Sequence, residues 1–273
     1  MGKLSDHPSA SVTKMMLIGD NGSGKSGAVA SLADAGYNIR MLDLDNGIDV
    51  LASLLKDPKA GYKREALDRV EYETITDKMK NVNGKLIPTK ASVWQRSVKL
   101  LDNWETETAK FGPISSWTPR DVLVIDSLTM LSTGAMNFIC AMNARLGQKP
   151  FQSDYGDAQN LVESLMQMLY DDGVNCNVIV NTHITYIGED GGAQRGYPSC
   201  VGKQLPQKIG RYFNSIVMAR SVGSGTAVKR KILTNSQPMI ELKTSAPTRV
   251  KAEYPIETGL ADLFRDLQGP VAV

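Results

Sequence analysis

The stretch "MMLIGDNGSGKSGAVASLADAG", residues 15–36, decides how the rest of the chain is read. An aliphatic run breaks into glycines, closes on a lysine and a serine, and continues as an alanine-rich segment. Residues 15–18 read as a short buried strand, and 26–35 as a helix that leaves the loop directly. Between them the spacing is G-x-x-x-x-G-K-[ST], in strand–loop–helix context. A loop of Gly19, Asp20, Asn21, Gly22, Ser23, Gly24, Lys25, Ser26 and Gly27 lets main-chain N–H groups converge on phosphate oxygens. The helix that follows adds its positive end. Lys25 can reach the β- and γ-phosphates, and the Ser26 hydroxyl can ligate Mg²⁺. The segment predicts a nucleoside triphosphate site, with ATP and Mg²⁺ as its occupants.

Outward from that loop, aliphatic strands alternate with helical patterns. Strands are expected at 39–44, 70–75 (more exposed), 122–125 and 178–181, and helices at 48–55, 91–110, 128–146 and 160–170. Later segments, 209–213, 215–220, 228–233 and 240–242, read as more antiparallel strands or short helices. The alternation predicts an α/β fold with a mostly parallel sheet covered on both faces. Such sheets bind ligands beyond the carboxyl ends of their strands. Gly22, Asp45, Asp126 and His183 all fall there.

"DVLVIDS" delivers Asp126 to the end of a buried strand, where its carboxylate can hold the metal together with Ser26. Hydrolysis also needs a group to orient or deprotonate water. In "MLDLDNG", alternation places Asp43 and Asp45 on one face, and Asp45 lies nearer the strand's end. Asp45 is the first candidate and Asp43 the second. No Glu follows Asp126, which favours the second strand as the source of the base.

Composition bounds the rest. The 273 residues are 42% hydrophobic, enough for a buried core. No apolar run approaches a membrane span, and the N-terminus lacks a signal-peptide layout, so a cytoplasmic protein without a membrane partner is expected. Cys140, Cys176 and Cys200 are far apart and form no C-x-x-C pair, and His7 and His183 are the only histidines, so disulfide frameworks and zinc sites are disfavoured. The net charge of +2 hides an asymmetry. Residues 195–251 carry 11 Lys+Arg and one acid, Glu241, leaving 20 basic and 28 acidic side chains elsewhere. That segregation points to a polyanion or to an acidic neighbour.

The order of phosphate loop, acid after the second strand, strand ending Asp-Ser and strand ending in polar residues resembles the RecA-type ATPase core. It is most similar to the phage-encoded Sak-type single-strand annealing proteins, over residues 14–250. The resemblance implies a RecA-like P-loop NTPase with a C-terminal antiparallel extension, a flexible tail over 1–13 and a short tail over 251–273. "VIVNTHITYIG" is similar to the strand that senses the γ-phosphate, through Asn181, Thr182 or His183. "GQKPFQSDYGD" and the five-glycine stretch 188–203 stand where DNA-binding loops belong, near 147–157 and 188–203, and the second is expected to be disordered without DNA. Arg195, Lys203, Lys208 and Arg211 would meet the nucleic-acid backbone. Tyr197, the aromatic expected to be most exposed, would stack on bases with Tyr186 and Phe151 or Tyr155. "AVKRKIL" resembles the segment whose lysines reach a neighbouring subunit's γ-phosphate, which carries that role to Lys229 and Lys231.

Three departures are noted: a long N-terminal oligomerisation helix and a sizeable C-terminal domain are not expected here, and Asp45 stands where the family usually has Glu, which would slow hydrolysis. The function implied is a Mg²⁺-dependent ATPase that binds single-stranded DNA as a homo-oligomer, ring or filament, with nucleotide between subunits. It would promote annealing or strand pairing in recombination, in the host cytoplasm if phage-encoded. A DNA motor or helicase on the same core, and a nucleotide-regulated scaffold with little hydrolysis, are the alternatives.

Overall fold

The computed structural model describes all residues except 1–10, 108, 189–191, 193, 224–227 and 270–273. In chain order, β1 (Lys14–Ile18) leads through the glycine loop into α1 (Lys25–Ala28) and α2 (Ala30–Asp34), then β2 (Asn38–Asp43), α3 (Ile48–Lys56) and β3 (Val70–Thr74). A hairpin of β4 (Lys78–Val82) and β5 (Lys85–Lys90) precedes α4 (Val93–Asp102) and a small pair, β6 (Trp104–Glu105) and β7 (Lys110–Gly112). Then come β8 (Asp121–Asp126), α5 (Leu128–Met142), α6 (Gln152–Tyr170) and β9 (Asn177–Thr182). A second hairpin, β10 (Ile184–Gly188) and β11 (Gln194–Pro198), is followed by α7 (Leu205–Lys208) and β12 (Ser215–Val222). β13 (Lys229–Leu233), β14 (Glu253–Pro255) and α8 (Gly259–Gln268) end the described chain.

The main sheet has eight strands in the order β14-β13-β12-β1-β9-β8-β2-β3. The six strands from β12 to β3 are parallel, and β13 and β14 add antiparallel to the other edge. β1, β8 and β9 are buried throughout, which their aliphatic composition requires. Alternate residues supply two cores. Met16, Leu42, Leu123, Ile125, Val178 and Val180 meet α4, α5 and α6 on one face. Met15, Leu17, Ile39, Met41, Val124 and Val217 meet α1, α2, α3 and α8 on the other.

The structure differs from the sequence expectations in several places. The helix expected at 26–35 is one run interrupted at Val29. The helix expected at 91–110 stops at Asp102, because Asn103 turns extended and Trp104 enters β6 to pack edge-on against Trp117, ring centroids 5.6 Å apart. The loop expected at 147–157 is largely the start of α6. Asp154 nucleates it by accepting hydrogen bonds from the Phe151 N–H (2.7 Å), Asn143 (2.9 Å) and Arg145. In the stretch expected to be a disordered loop over 188–203, residues 194–198 are a strand paired with β10, Ile184 opposite Pro198 and Gly188 opposite Gln194. The part of that loop at 189–191 and 193 lies outside the described residues, as does most of the tail expected at 1–13. Thr13 is buried and its N–H donates to Asn177 Oδ1 at 2.7 Å.

The segment after Lys251, expected as a short tail, is part of the fold. β14 pairs with β13, and α8 buries Leu260, Leu263 and Phe264 completely in the core beneath α2. Its apolar residues recur at helical spacing, so the sequence "GLADLFRDL" reads as an amphipathic turn, but local pattern does not show what that turn packs against. Replacing Phe264 by Ala is expected to destabilise the protein by about 3–5 kcal/mol, the range for deleting a buried aromatic ring. Chemical denaturation monitored by circular dichroism measures it.

Candidate nucleotide and nucleic-acid sites

The loop Gly19–Ser26 wraps the carboxyl end of β1. Gly22 and Gly24 have φ of +72° and +97°, conformations that L side chains rarely adopt. Gly19 is needed for space instead: a Cβ there would lie 2.5 Å from the Ala219 carbonyl oxygen. Its N–H donates to the Thr182 carbonyl (3.1 Å), which ties the loop to β9. Lys25 is buried. Its Nζ donates to the carbonyls of Gly19 (2.7 Å) and Asp20 (3.0 Å). Burial holds its pKa below the usual lysine value, against the opposing pull of Asp126, Asp45 and Asp20. Asp20, Asn21 and Gly22 are exposed, Ser23 and Gly27 buried.

Ser26 Oγ donates to Asp126 Oδ2 at 2.5 Å, so the two expected metal-holding groups meet. Asp126 is buried, and burial raises its pKa, partly offset by the Ser26 hydroxyl. Asn181 is opposite Asp126 in the β8–β9 register, fully buried, and its amide N and O make no hydrogen bond of ordinary geometry among the described residues. The neighbouring Asn181 amide, like the Ser26 hydroxyl, opposes the effect of burial on Asp126, and a cation here would stabilise the ionised carboxylate further. Among the described residues no cluster of three or more His, Cys, Asp or Glu can hold a metal, so a cation here draws its remaining ligands from phosphate and water.

Sequence reasoning missed Gly47. A Cβ there would lie 2.6 Å from Ser26 Oγ and 2.8 Å from Asp126 Oδ2, so its bare backbone keeps the space beside these two groups open. The "DNG" triplet, Asp45 to Gly47, was the available signal. Asp43, the second candidate base, is committed elsewhere: its oxygens accept from the Gly47 N–H (2.7 Å) and the Thr74 hydroxyl (2.8 Å). β2 ends at Asp43, and Asp45 projects from the following turn, where its Oδ2 accepts from Ser127 Oγ (2.6 Å) and contacts His183 Nε2 (2.9 Å). A carboxylate partner assigns the proton to Nε2, leaving His183 Nδ1 to accept from Lys25 Nζ at 3.5 Å. The structure therefore gathers Lys25, Ser26, Asp45, Asp126 and His183 at one end of the sheet. Thr182 instead bonds the Ser199 carbonyl (3.2 Å).

Lys229 and Lys231 lie away from this cluster. Alternation along β13 puts them on the face opposite Arg230, whose Nε donates to the Gly22 carbonyl at 3.0 Å in the chain's own loop. Lys229 is exposed, and Lys231 pairs with Glu253 at 2.6 Å.

Of the expected nucleic-acid residues, Arg195, Tyr197, Lys208 and Arg211 line one cleft of about 560 Å³ with Lys243, floored by Ile18 and Ile216. Lys203 is exposed outside it. Arg195 pairs with Glu241 (2.9 Å) and Arg211 with Glu163 (2.8 Å). Tyr197 is half-buried in the cleft wall, which corrects its expected exposure; Tyr186 and Phe151 are the more exposed aromatics, with the Arg145 guanidinium over the Phe151 ring.

A parallel sheet with this strand order, carrying a phosphate loop on β1 and its acidic partner on β8, defines a RecA-like P-loop ATPase. The chain belongs to the AAA_24 family, described as an AAA domain, which matches residues 11–245. No curated protein matches the sequence. Similar solved structures include a KaiC-like protein of the archaeon Pyrococcus horikoshii OT3, at 13% identity over 90% of this chain and 87% of that one, TM-score 0.43. The RadB recombinase is 14% identical over 90% and 89%, TM-score 0.47. An ATPase of a bacterial type III secretion system is 12% identical over 76% and 52%, TM-score 0.42. Among the described residues no helix is long and apolar enough to cross a membrane.

Gly47→Ala is expected to abolish the contribution of Mg²⁺ to nucleotide affinity while leaving metal-free binding in place. Titration with a fluorescent ATP analogue, with Mg²⁺ and with EDTA, measures both.

Proposed function

We propose that this ATPase binds single-stranded DNA as a homo-oligomer, ring or filament, and promotes annealing or strand pairing in recombination, as phage Sak-type proteins do. The observation that carries this reading is how the basic cleft is joined to the nucleotide site. β10 starts one residue after His183, and β11 returns to Ser199, whose N–H donates to the His183 carbonyl at 2.8 Å. Thr129 and Thr182 both donate to the Ser199 carbonyl, at 2.9 and 3.2 Å. The hairpin bearing Arg195 and Tyr197 is thus stapled to the end of β9, which lies beside the phosphate loop. Lysine and arginine contacts to phosphates would be sequence-independent and salt-sensitive. Burial lowers the pKa of Lys243 within the same cleft, and a bound polyanion would draw it back up.

In the catalytic cycle, Lys25 would exchange the Gly19 and Asp20 carbonyls for the β- and γ-phosphate oxygens. Ser26 and Asp126 would hold Mg²⁺, which supplies charge neutralisation across the β- and γ-phosphates. Asp45, fixed through one oxygen by Ser127 and His183, would use the other to orient and deprotonate water. His183 would report phosphate occupancy to β10. Lys229 and Lys231, facing away from their own loop, would complete a neighbour's site.

Two experiments test this. With ATP analogue bound, the wild type is expected to bind fluorescent oligo-dT, and the pair Arg195→Ala and Lys208→Ala to weaken it at least tenfold with ATP affinity kept. Absence of oligo-dT binding by the nucleotide-loaded wild type would overturn the reading. For the shared site, Lys25→Ala and Lys231→Ala proteins should each be nearly inactive alone. Mixing them should restore part of the phosphate release, because one supplies the trans lysine and the other the intact loop. A mixture no faster than its components rules the trans role out.

A further inference from the structure

We propose that the β4–β5 hairpin is a second nucleic-acid-binding arm, separate from the cleft, which lays its lysines along a phosphate backbone. The inference rests on the nucleic-acid reading above. The arm extends from the carboxyl end of β3, beyond the sheet. Asn83 and Gly84, with φ of +52° and +80°, form the tight turn that closes it. A two-stranded hairpin is marginal by itself, and its root is anchored. Asp77 accepts from the Ser92 and Val93 N–H groups (2.5 and 2.9 Å) and from Asn137 of α5 (2.8 Å).

Residues 78–90 contain four lysines, Lys78, Lys80, Lys85 and Lys90, and no acid. All four are exposed, and none is in an ion pair among the described residues. The register sorts the side chains. Lys80 pairs with Ile87 and Val82 with Lys85, so Lys80, Val82 and Lys85 share the face of Ile87, while the register shifts at the root of the arm, where Lys78 pairs with Lys90. Ile87 packs on Gly147, just before exposed Lys149. The lysine face therefore turns toward the segment preceding α6, and the charges of both elements add on one side. The opposite face presents Met79 and Leu86, 54% and 67% exposed, apolar groups suited to lie against unstacked bases.

Four unpaired cations with no acid among them favour a polyanion over a protein face of mixed charge. The arm is also apart from the first cleft. That cleft rests on β1 and β12, whereas β3 is four strands from β1, a lateral offset of roughly 20 Å at ordinary strand spacing. One chain would thus hold two stretches of nucleic acid at once, the arrangement that strand pairing demands.

The test compares three proteins loaded with ATP analogue: wild type, a cleft variant (Arg195→Ala with Lys208→Ala), and an arm variant (Lys78→Gln, Lys80→Gln and Lys85→Gln). Anisotropy of labelled oligo-dT is followed from low to high salt. Thermal midpoint and ATP affinity serve as folding controls, and sedimentation reports assembly. The arm variant is expected to keep its midpoint and ATP affinity, to lose about tenfold in affinity, and to lower the log–log salt slope by about 2, near 0.7 per phosphate contact on a single strand. If the arm variant keeps wild-type affinity and slope while the cleft variant fails, the arm inference is overturned and the cleft reading stands. A wild type that binds no oligo-dT overturns both. An arm variant that assembles poorly with an unchanged salt slope would mean that the arm docks on another copy of the chain, which also overturns the inference.

Discussion

Ser26 and Asp126 meet across the end of a strand that belongs to neither of them. β1 carries the phosphate loop and β8 carries the acid, and β9 runs between the two. Their 2.5 Å hydrogen bond can form only if all three strands stop at matching heights and nothing intrudes. The aliphatic cores on both faces set the heights. Gly47, by lacking a side chain, keeps the space clear. A buried carboxylate raised by desolvation is costly to keep ionised, and the arrangement makes sense as one half of a cation site whose other half arrives with the nucleotide.

From that contact the remaining polar groups follow by short links. Asp45 comes off the turn after β2 and is fixed by Ser127, the residue next to Asp126. His183, at the end of β9, joins Asp45 to Lys25. Ser199 then ties His183 to the hairpin that borders the basic cleft. Each link is a polar contact between groups on different elements, so Lys25, Asp45, His183 and the hairpin form one contiguous polar chain.

Much of this was legible in the sequence. The phosphate loop, the Asp126 strand and the parallel sheet announce themselves, because buried parallel strands are continuous aliphatic runs and glycine loops have fixed spacing. The β4–β5 hairpin is hard to see in the sequence, although Asn83-Gly84 is a strong turn signal. Its strands mix lysines with apolar residues and show no clean alternation, since only Ile87 and Pro88 are partly covered and the other residues are exposed. The start of α6 reads as a loop because "GQKPFQSDYGD" is polar. Asp154 overrides that composition by collecting three donors, including the Arg145 guanidinium. At the site, Gly47 and the Asp45–His183 contact depend on which distant segments converge, and local pattern does not encode that.

β13 carries three consecutive cations that serve two directions. Arg230 turns inward to the chain's own phosphate loop, while Lys229 and Lys231 turn outward. Side chains on a strand change face with every step, so a slip of one residue would exchange these assignments wholesale. Ile232, fully buried and paired with Ala219 and Tyr254, is the peg that forbids the slip. Lengthening or shortening the connection between Gly223 and Val228 is therefore tolerable only while that peg keeps its socket. Which of these cations meets the chain's own phosphate loop and which faces away from it is stored in the phase of five residues.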